Sequence, residues 1–165
     1  MDRDVYKKML MDRLLGYFDF EEDKELGSLC VDFHAKMHRR NEKYVLQKKN
    51  VLYAYDNFEY FNLYQAEALT LAQLQFLMET FVQESLLITD PNAEHMSSDH
   101  ILIVRLHQIS PELIDFVKKY KYRKYFRFGL QGTFKAGLIL VAQDAKSATF
   151  SRDLRDKKYH FVLEK

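Results

Sequence analysis

From Leu29 the chain alternates apolar and polar residues one for one. Leu29, Val31, Phe33, Ala35 and Met37 fall on one side, and Cys30, Asp32, His34, Lys36 and His38 on the other. A period of two is the mark of a β-strand with one buried face. Arg40, Asn41 and Glu42 form a polar break that predicts a tight turn, after which Tyr44 to Tyr55 returns antiparallel. Asp56-Asn57 predicts a second turn into Phe58 to Tyr64, giving a meander over Leu29 to Tyr64. A short first strand over Asp19 to Leu26 is expected to join it through a Gly27-Ser28 turn.

Elsewhere the period lengthens. Tyr6, Leu10, Leu14 and Tyr17 lie at helical spacing and predict a helix over Asp4 to Phe18. Thr70 followed by Gln73 reads as a capping box, and Leu74, Leu77, Met78, Phe81 and Val82 form the apolar stripe of a helix from about Leu71 to Leu86. Ser110-Pro111 opens a third helix carrying Leu113, Phe116, Val117 and Tyr120. Ile101 to Leu106, apolar but for Arg105, and Leu138 to Ala142, apolar throughout, read as central strands with helices above and below. The expected fold is a single α+β domain over residues 1–165, with a mixed, mostly antiparallel sheet flanked by helices.

Composition narrows the classes. Lys+Arg 25 against Asp+Glu 24 gives no overall polyanion signal, so an electrostatic site must come from local clustering. One cysteine, Cys30, excludes an internal disulfide and fits a reducing compartment. The N-terminal stretch reads as neither a secretory signal nor a transit peptide, and no apolar run approaches the roughly 20 residues of a membrane span. A cytoplasmic protein without a membrane partner is expected.

Three constellations could carry chemistry. With a turn at Arg40-Asn41, Asp32 stands opposite Lys49 and His34 opposite Gln47 on one strand face. An acid near the start of one strand, facing Gln-x-Lys on its hairpin partner, resembles the divergent PD-(D/E)xK nuclease superfamily, whose core is likewise a helix, a meander, a helix and a further strand. The resemblance implies that Asp32 ligates Mg²⁺ or Mn²⁺ and that Lys49 positions water or stabilises the transition state. Gln47 stands where the family usually has a second acid. No proline precedes Asp32, and the match ends at Lys49. The alternative is a cross-strand ion pair on a solvated face.

The segment Lys118 to Phe128, KKYKYRKYFRF, interleaves Lys118, Lys119, Lys121, Arg123, Lys124 and Arg127 with aromatic rings. Cations can neutralise phosphates while rings stack on bases, so nucleic acid is an expected partner. The alternative is a helix C-terminus that favours cations and runs into a strand with core aromatics. The histidines, His34, His38, His95 and His100 among them, could assemble a metal site only from distant parts of the chain. Asn92 to Asp99 reads as a polar loop, in which Ser97 and Ser98 are expected to cap rather than attack.

Taken whole, the chain resembles an uncharacterised family of small Firmicutes proteins through NEKY at Asn41 to Tyr44, EHMSS at Glu94 to Ser98 and FRFGLQG at Phe126 to Gly132. That resemblance implies a stand-alone bacterial domain and no particular activity. The functional expectation is therefore a nucleic-acid-binding domain with a nuclease-like, catalytically degenerate core. The competing expectation is a non-enzymatic interaction module, with a homodimer as one form.

Overall fold

The structure, a computed structural model, describes residues 2–44 and 51–154, with the side chains of residues 43, 44 and 51–53 left aside. Its elements in order are α1 (Arg3–Leu14), β1 (Asp19–Leu26), β2 (Leu29–Tyr44), β3 (Val51–Ala66), α2 (Leu71–Leu87), β4 (His95–Leu106), α3 (Pro111–Lys119), β5 (Tyr122–Tyr125), β6 (Thr133–Ala142) and β7 (Ala148–Phe150). The described strands form one sheet in the order β1-β2-β3-β4-β6-β5, with β7 pairing β6. The meander β1 to β3 is antiparallel, β3, β4 and β6 run parallel, and β5 and β7 are antiparallel to β6. The α+β class and the mixed, mostly antiparallel sheet expected from the sequence are therefore found.

Two apolar layers sandwich the sheet. Tyr6, Leu10 and Leu14 of α1 bury their stripe against Phe33, Phe61, Leu63, Ile101, Ile103, Ile139 and Val141. On the opposite face, Leu74, Leu77, Met78 and Phe81 of α2 and Leu113 and Val117 of α3 pack on Leu102, Val104, Leu138 and Leu140. Because β4 and β6 contribute to both layers, successive residues are apolar where both layers cover them, over Ile101 to Val104 and Leu138 to Val141, which explains the unbroken runs. Thr70 caps α2 through the expected reciprocal bonds with Gln73. Helix α1 ends earlier than its periodicity suggests: the chain leaves it at Leu15 and Gly16, where φ is +91°, and Tyr17 is left exposed.

The meander differs from expectation in its register. Neither polar cluster is a turn: β2 continues through Arg40–Glu42 and β3 through Asp56-Asn57, with Arg40 paired to Asp56 and Asn41 to Tyr55. Opposite charges across the ladder hold these residues extended. Arg40 Nη1 donates to Asp56 Oδ2 at 3.0 Å, and His38 Nε2 donates to Asp56 Oδ1 at 2.8 Å. Each cluster, polar enough alone to mimic a turn, is the complement of the other.

Strand β2 also changes sides. Leu29 and Val31 pack with α2 and α3, whereas Phe33 and Ala35 pack with α1. Asp23 on the neighbouring strand, between the pairs Glu22–Phe33 and Lys24–Val31, has φ of +45°. The single apolar face expected for Leu29 to Met37 is thus divided between two layers.

Candidate functional site

The parallel register builds a site that lies partly beyond α1. Across β2, β3, β4, β6 and β5, the residues Met37, Glu59, Asp99, Lys135 and Arg123 are successive register partners. The next row is Arg39, Asn57, Ser97, Thr133 and Tyr125. The row on the inner side, Ala35, Phe61, Ile101 and Gly137, belongs to the apolar layer under α1 and Leu154. One sheet face therefore switches within two residues along each strand from covered and apolar to a polar ledge.

Two adjoining grooves run along the ledge. One, of about 690 Å³, is lined by Tyr55, Asn57, Glu94, His95, Thr133 and Lys135 among others. A smaller one, of about 200 Å³, includes Arg39, Glu59, Ser97 and Asp99. Within them Ser97 Oγ donates to Asn57 Oδ1 at 2.7 Å, and Lys135 Nζ lies 3.8 Å from Asp99 Oδ1. Burial pushes the Asp99 carboxyl above the usual carboxylate range, and Lys135 and Arg123 pull it only part of the way back. At the outer end Arg123 Nη2 reaches Asp153 Oδ2 at 3.4 Å. Along the first row of the ledge the carboxylates of Glu59 and Asp99 on β3 and β4 thus give way to the cations of Lys135 and Arg123 on β6 and β5, and neither sign prevails.

The wall of the larger groove comes from two distant segments locked together. His95 Nδ1 donates to the Gln131 carbonyl at 2.7 Å, which leaves Nε2 to accept from Ser98 Oγ at 2.8 Å. A Ser–His pair of this kind can serve as nucleophile and base. Here both side chains are buried, so the pair acts to fix the start of β4 against the 126–132 loop. Gly132, at φ +82°, completes the lock, since a Cβ there would stand 2.4 Å from His95 Nδ1 and 2.5 Å from the His95 carbonyl oxygen. Arg40 ties in the hairpin through Glu94 Oε2 at 2.9 Å, and Asp56 N donates to Glu94 O at 2.7 Å. The segments containing EHMSS and FRFGLQG therefore meet at one end of the sheet, beside β2 where NEKY begins.

The rim of this wall is apolar and strained. Met96, Tyr125, Phe128 and Leu130 are all more than half exposed, and Phe128 is fully so. Arg127 and Phe128 hold φ of +45° and +56°, left-handed conformations that cost a non-glycine residue about 1 kcal/mol or more each.

The residues singled out in the sequence are distributed differently. Asp32 faces the end of β3, where its Oδ2 accepts from Gln65 N at 3.0 Å. The expected opposition to Lys49 depended on a turn at Arg40-Asn41, which the observed register removes; Gln47 and Lys49 lie outside the described residues. Among the described residues no three His, Cys, Asp or Glu side chains are grouped to hold a metal ion. The basic segment is exposed but split: Lys118 and Lys119 sit in the last turn of α3, and Lys121 precedes β5. Along β5 Arg123 belongs to the ledge, and Lys124 alternates with it and lies 5.7 Å from the Phe126 ring. Arg127 stands on the strained loop.

His34 and His100 are buried on the α2 side, flanking the Tyr60 ring at 5.5 and 4.1 Å. His34 Nδ1 donates to Asn62 Oδ1, and His100 Nε2 lies 3.2 Å from Thr89 Oγ1, whose proton goes to the Ser85 carbonyl. Burial holds His100 neutral, with its pKa lowered to about 3.

Sequence reasoning missed Asp99, Lys135, Glu59 and the rows they form, and took Asn92 to Asp99 for a loop although β4 begins at His95. The available signal was a repeated one. Ser97-x-Asp99 and Thr133-x-Lys135 each place two polar residues on alternate positions shortly before an apolar run, Ile101 to Val104 and Leu138 to Ala142.

No helix among the described residues is long and apolar enough to cross a membrane. No curated protein and no solved structure matches the chain. The family model described as Domain of unknown function (DUF8052) matches residues 2–163, and the chain, with its ledge and locked wall, belongs to that family.

Proposed function

We propose that the chain is a non-enzymatic interaction module that receives an extended segment of another protein on the ledge. The observation that carries this reading is the pair of register-matched polar rows beside an exposed apolar rim. Glu59 and Asp99 supply negative charge on β3 and β4, Lys135 and Arg123 positive charge on β6 and β5. A segment of mixed charge complements that order, and Phe128, Met96 and Leu130 offer the apolar anchors that partner interfaces use. The near-balance of charge gives the ledge no stripe for tracking phosphates.

A second reading, a nucleic-acid-binding domain with a nuclease-like, degenerate core, draws support from the element order α1, β1 to β3, α2, β4 and from the exposure of all six basic residues of Lys118 to Arg127. Both readings suit a bacterial cytoplasm, the setting implied by the sequence resemblance and by an exposed free thiol at Cys30. Titration with mixed-charge peptides and with single-stranded DNA and RNA across a salt series separates them. Peptide binding lost on reversing the charges at positions 99 and 135 supports the module. Oligonucleotide binding with a steep salt slope, lost in Lys118, Lys119 and Lys121 variants, supports the nucleic-acid domain.

A further inference from the structure

At the opposite end of the sheet, β3 and β4 finish at Ala66 and Leu106 and β6 at Ala142. This is the carboxyl edge of the parallel strands, the edge at which open parallel sheets take ligands. A pocket of about 140 Å³ opens here, with Arg3, Gln65, Glu67, Arg105, His107 and Gln143 in its lining.

Two guanidinium groups are built into that pocket by one glutamine. Arg105 is buried, 3% exposed, with its guanidinium 4.9 Å from the Tyr6 ring centroid. Its Nη1 donates to Gln65 Oε1 at 2.7 Å and its Nη2 to the Gln143 carbonyl. Arg3 donates to the Gln65 carbonyl, and Gln65 Nε2 returns a bond to the Arg3 carbonyl at 3.3 Å. The Gln65 backbone is itself fixed by Asp32 Oδ2. Asp32, expected as a metal ligand, thus serves to hold the residue that orients both arginines.

Setting two cations around one small pocket raises the energy of each, and Arg3 adds to the burial that lowers the Arg105 pKa. Planar guanidinium forks held in place are the preferred donors to carboxylate and phosphate oxygens. The carboxylate in the lining, Glu67, has a side chain 78% exposed and lies 4.0 Å from His107 at the rim. We propose that this pocket binds a small oxyanion, the carboxylate or phosphate group of a small molecule, between Arg3 and Arg105.

The test is calorimetric titration of the full chain with inorganic phosphate and, separately, with acetate. Sodium chloride at matched ionic strength is the control, and thermal unfolding is followed in parallel. Saturable binding of either anion with a rise in unfolding temperature beyond the chloride control is expected. A response to phosphate alone assigns a phosphoryl group, and a response to acetate alone a carboxylate. Arg3 lies at the exposed start of α1, so Arg3→Gln should fold, and it should weaken binding by about tenfold or more, as expected for loss of one charged hydrogen bond. Absence of saturable binding for both anions, or affinity unchanged in Arg3→Gln, would overturn the proposal.

Discussion

Asp99 and Lys135 are register partners on adjacent parallel strands, 3.8 Å apart, each side chain about one-third exposed. The carboxyl is desolvated enough to lie above the usual carboxylate range even with the ammonium beside it. Such a group costs stability at neutral pH, and its retention beside a groove is characteristic of a binding surface.

Asp99→Asn should therefore stabilise the protein at pH 7. Because the folded pKa is raised, the folded state binds more protons than the unfolded one. The Asp99 contribution to stability is thus greatest below the unfolded value near 3.8 and declines as pH rises through the folded value. Urea unfolding from pH 4 to 7 should show that decline removed in the variant. An unchanged pH profile would show that Asp99 is not desolvated.

The buried histidines act with the opposite sign. His100, near 3 in the fold and 6.5 when unfolded, and His34, lowered by burial, leave the unfolded state with more bound protons. Their contribution is complete above about pH 6.5 and falls away as pH drops toward 3. The wild-type urea midpoint should decline on acidification below pH 6.5, and His100→Leu should flatten the decline. An equally steep decline in that variant would assign the acid sensitivity elsewhere.

Gly132→Ala should cost about 2 kcal/mol or more, since it combines a left-handed backbone with a collision against His95 that only a backbone shift relieves. Chemical denaturation measures the loss. Amide shifts at His95 to Ser97 should move with it, whereas a silent substitution would mean that the loop does not lock the groove.

Phe128→Gly should do the reverse. Relief of the φ of +56° predicts stabilisation of up to about 1 kcal/mol, and removal of a fully exposed ring predicts weaker partner binding. A gain in stability with undiminished binding would remove Phe128 from the interface.

The helices and central strands were legible because their signals are local: the Thr70/Gln73 cap, the Tyr6-Leu10-Leu14 stripe, and the unbroken runs at Ile101 and Leu138. The register of the meander was not. Arg40 to Glu42 and Asp56-Asn57 look like turns until the charges of one are set against those of the other. The ledge was hidden for the same reason: Asp99 and Lys135 are separated by 35 intervening residues and become neighbours only through the parallel pairing of β4 with β6. Strand alternation likewise dispersed the basic segment, which reads as one cluster in the sequence.

The central claim is that the ledge recognises a mixed-charge polypeptide through the order of its charges. The most direct measurement is the affinity of peptides selected from a random displayed library, compared between wild type and the double variant Asp99→Lys/Lys135→Asp, which keeps the ion pair but reverses its direction. The predicted result is selected peptides that carry both charge signs with an aromatic anchor and that lose at least tenfold in affinity for the reversed variant, which still folds. Peptides that bind both forms equally would contradict the account.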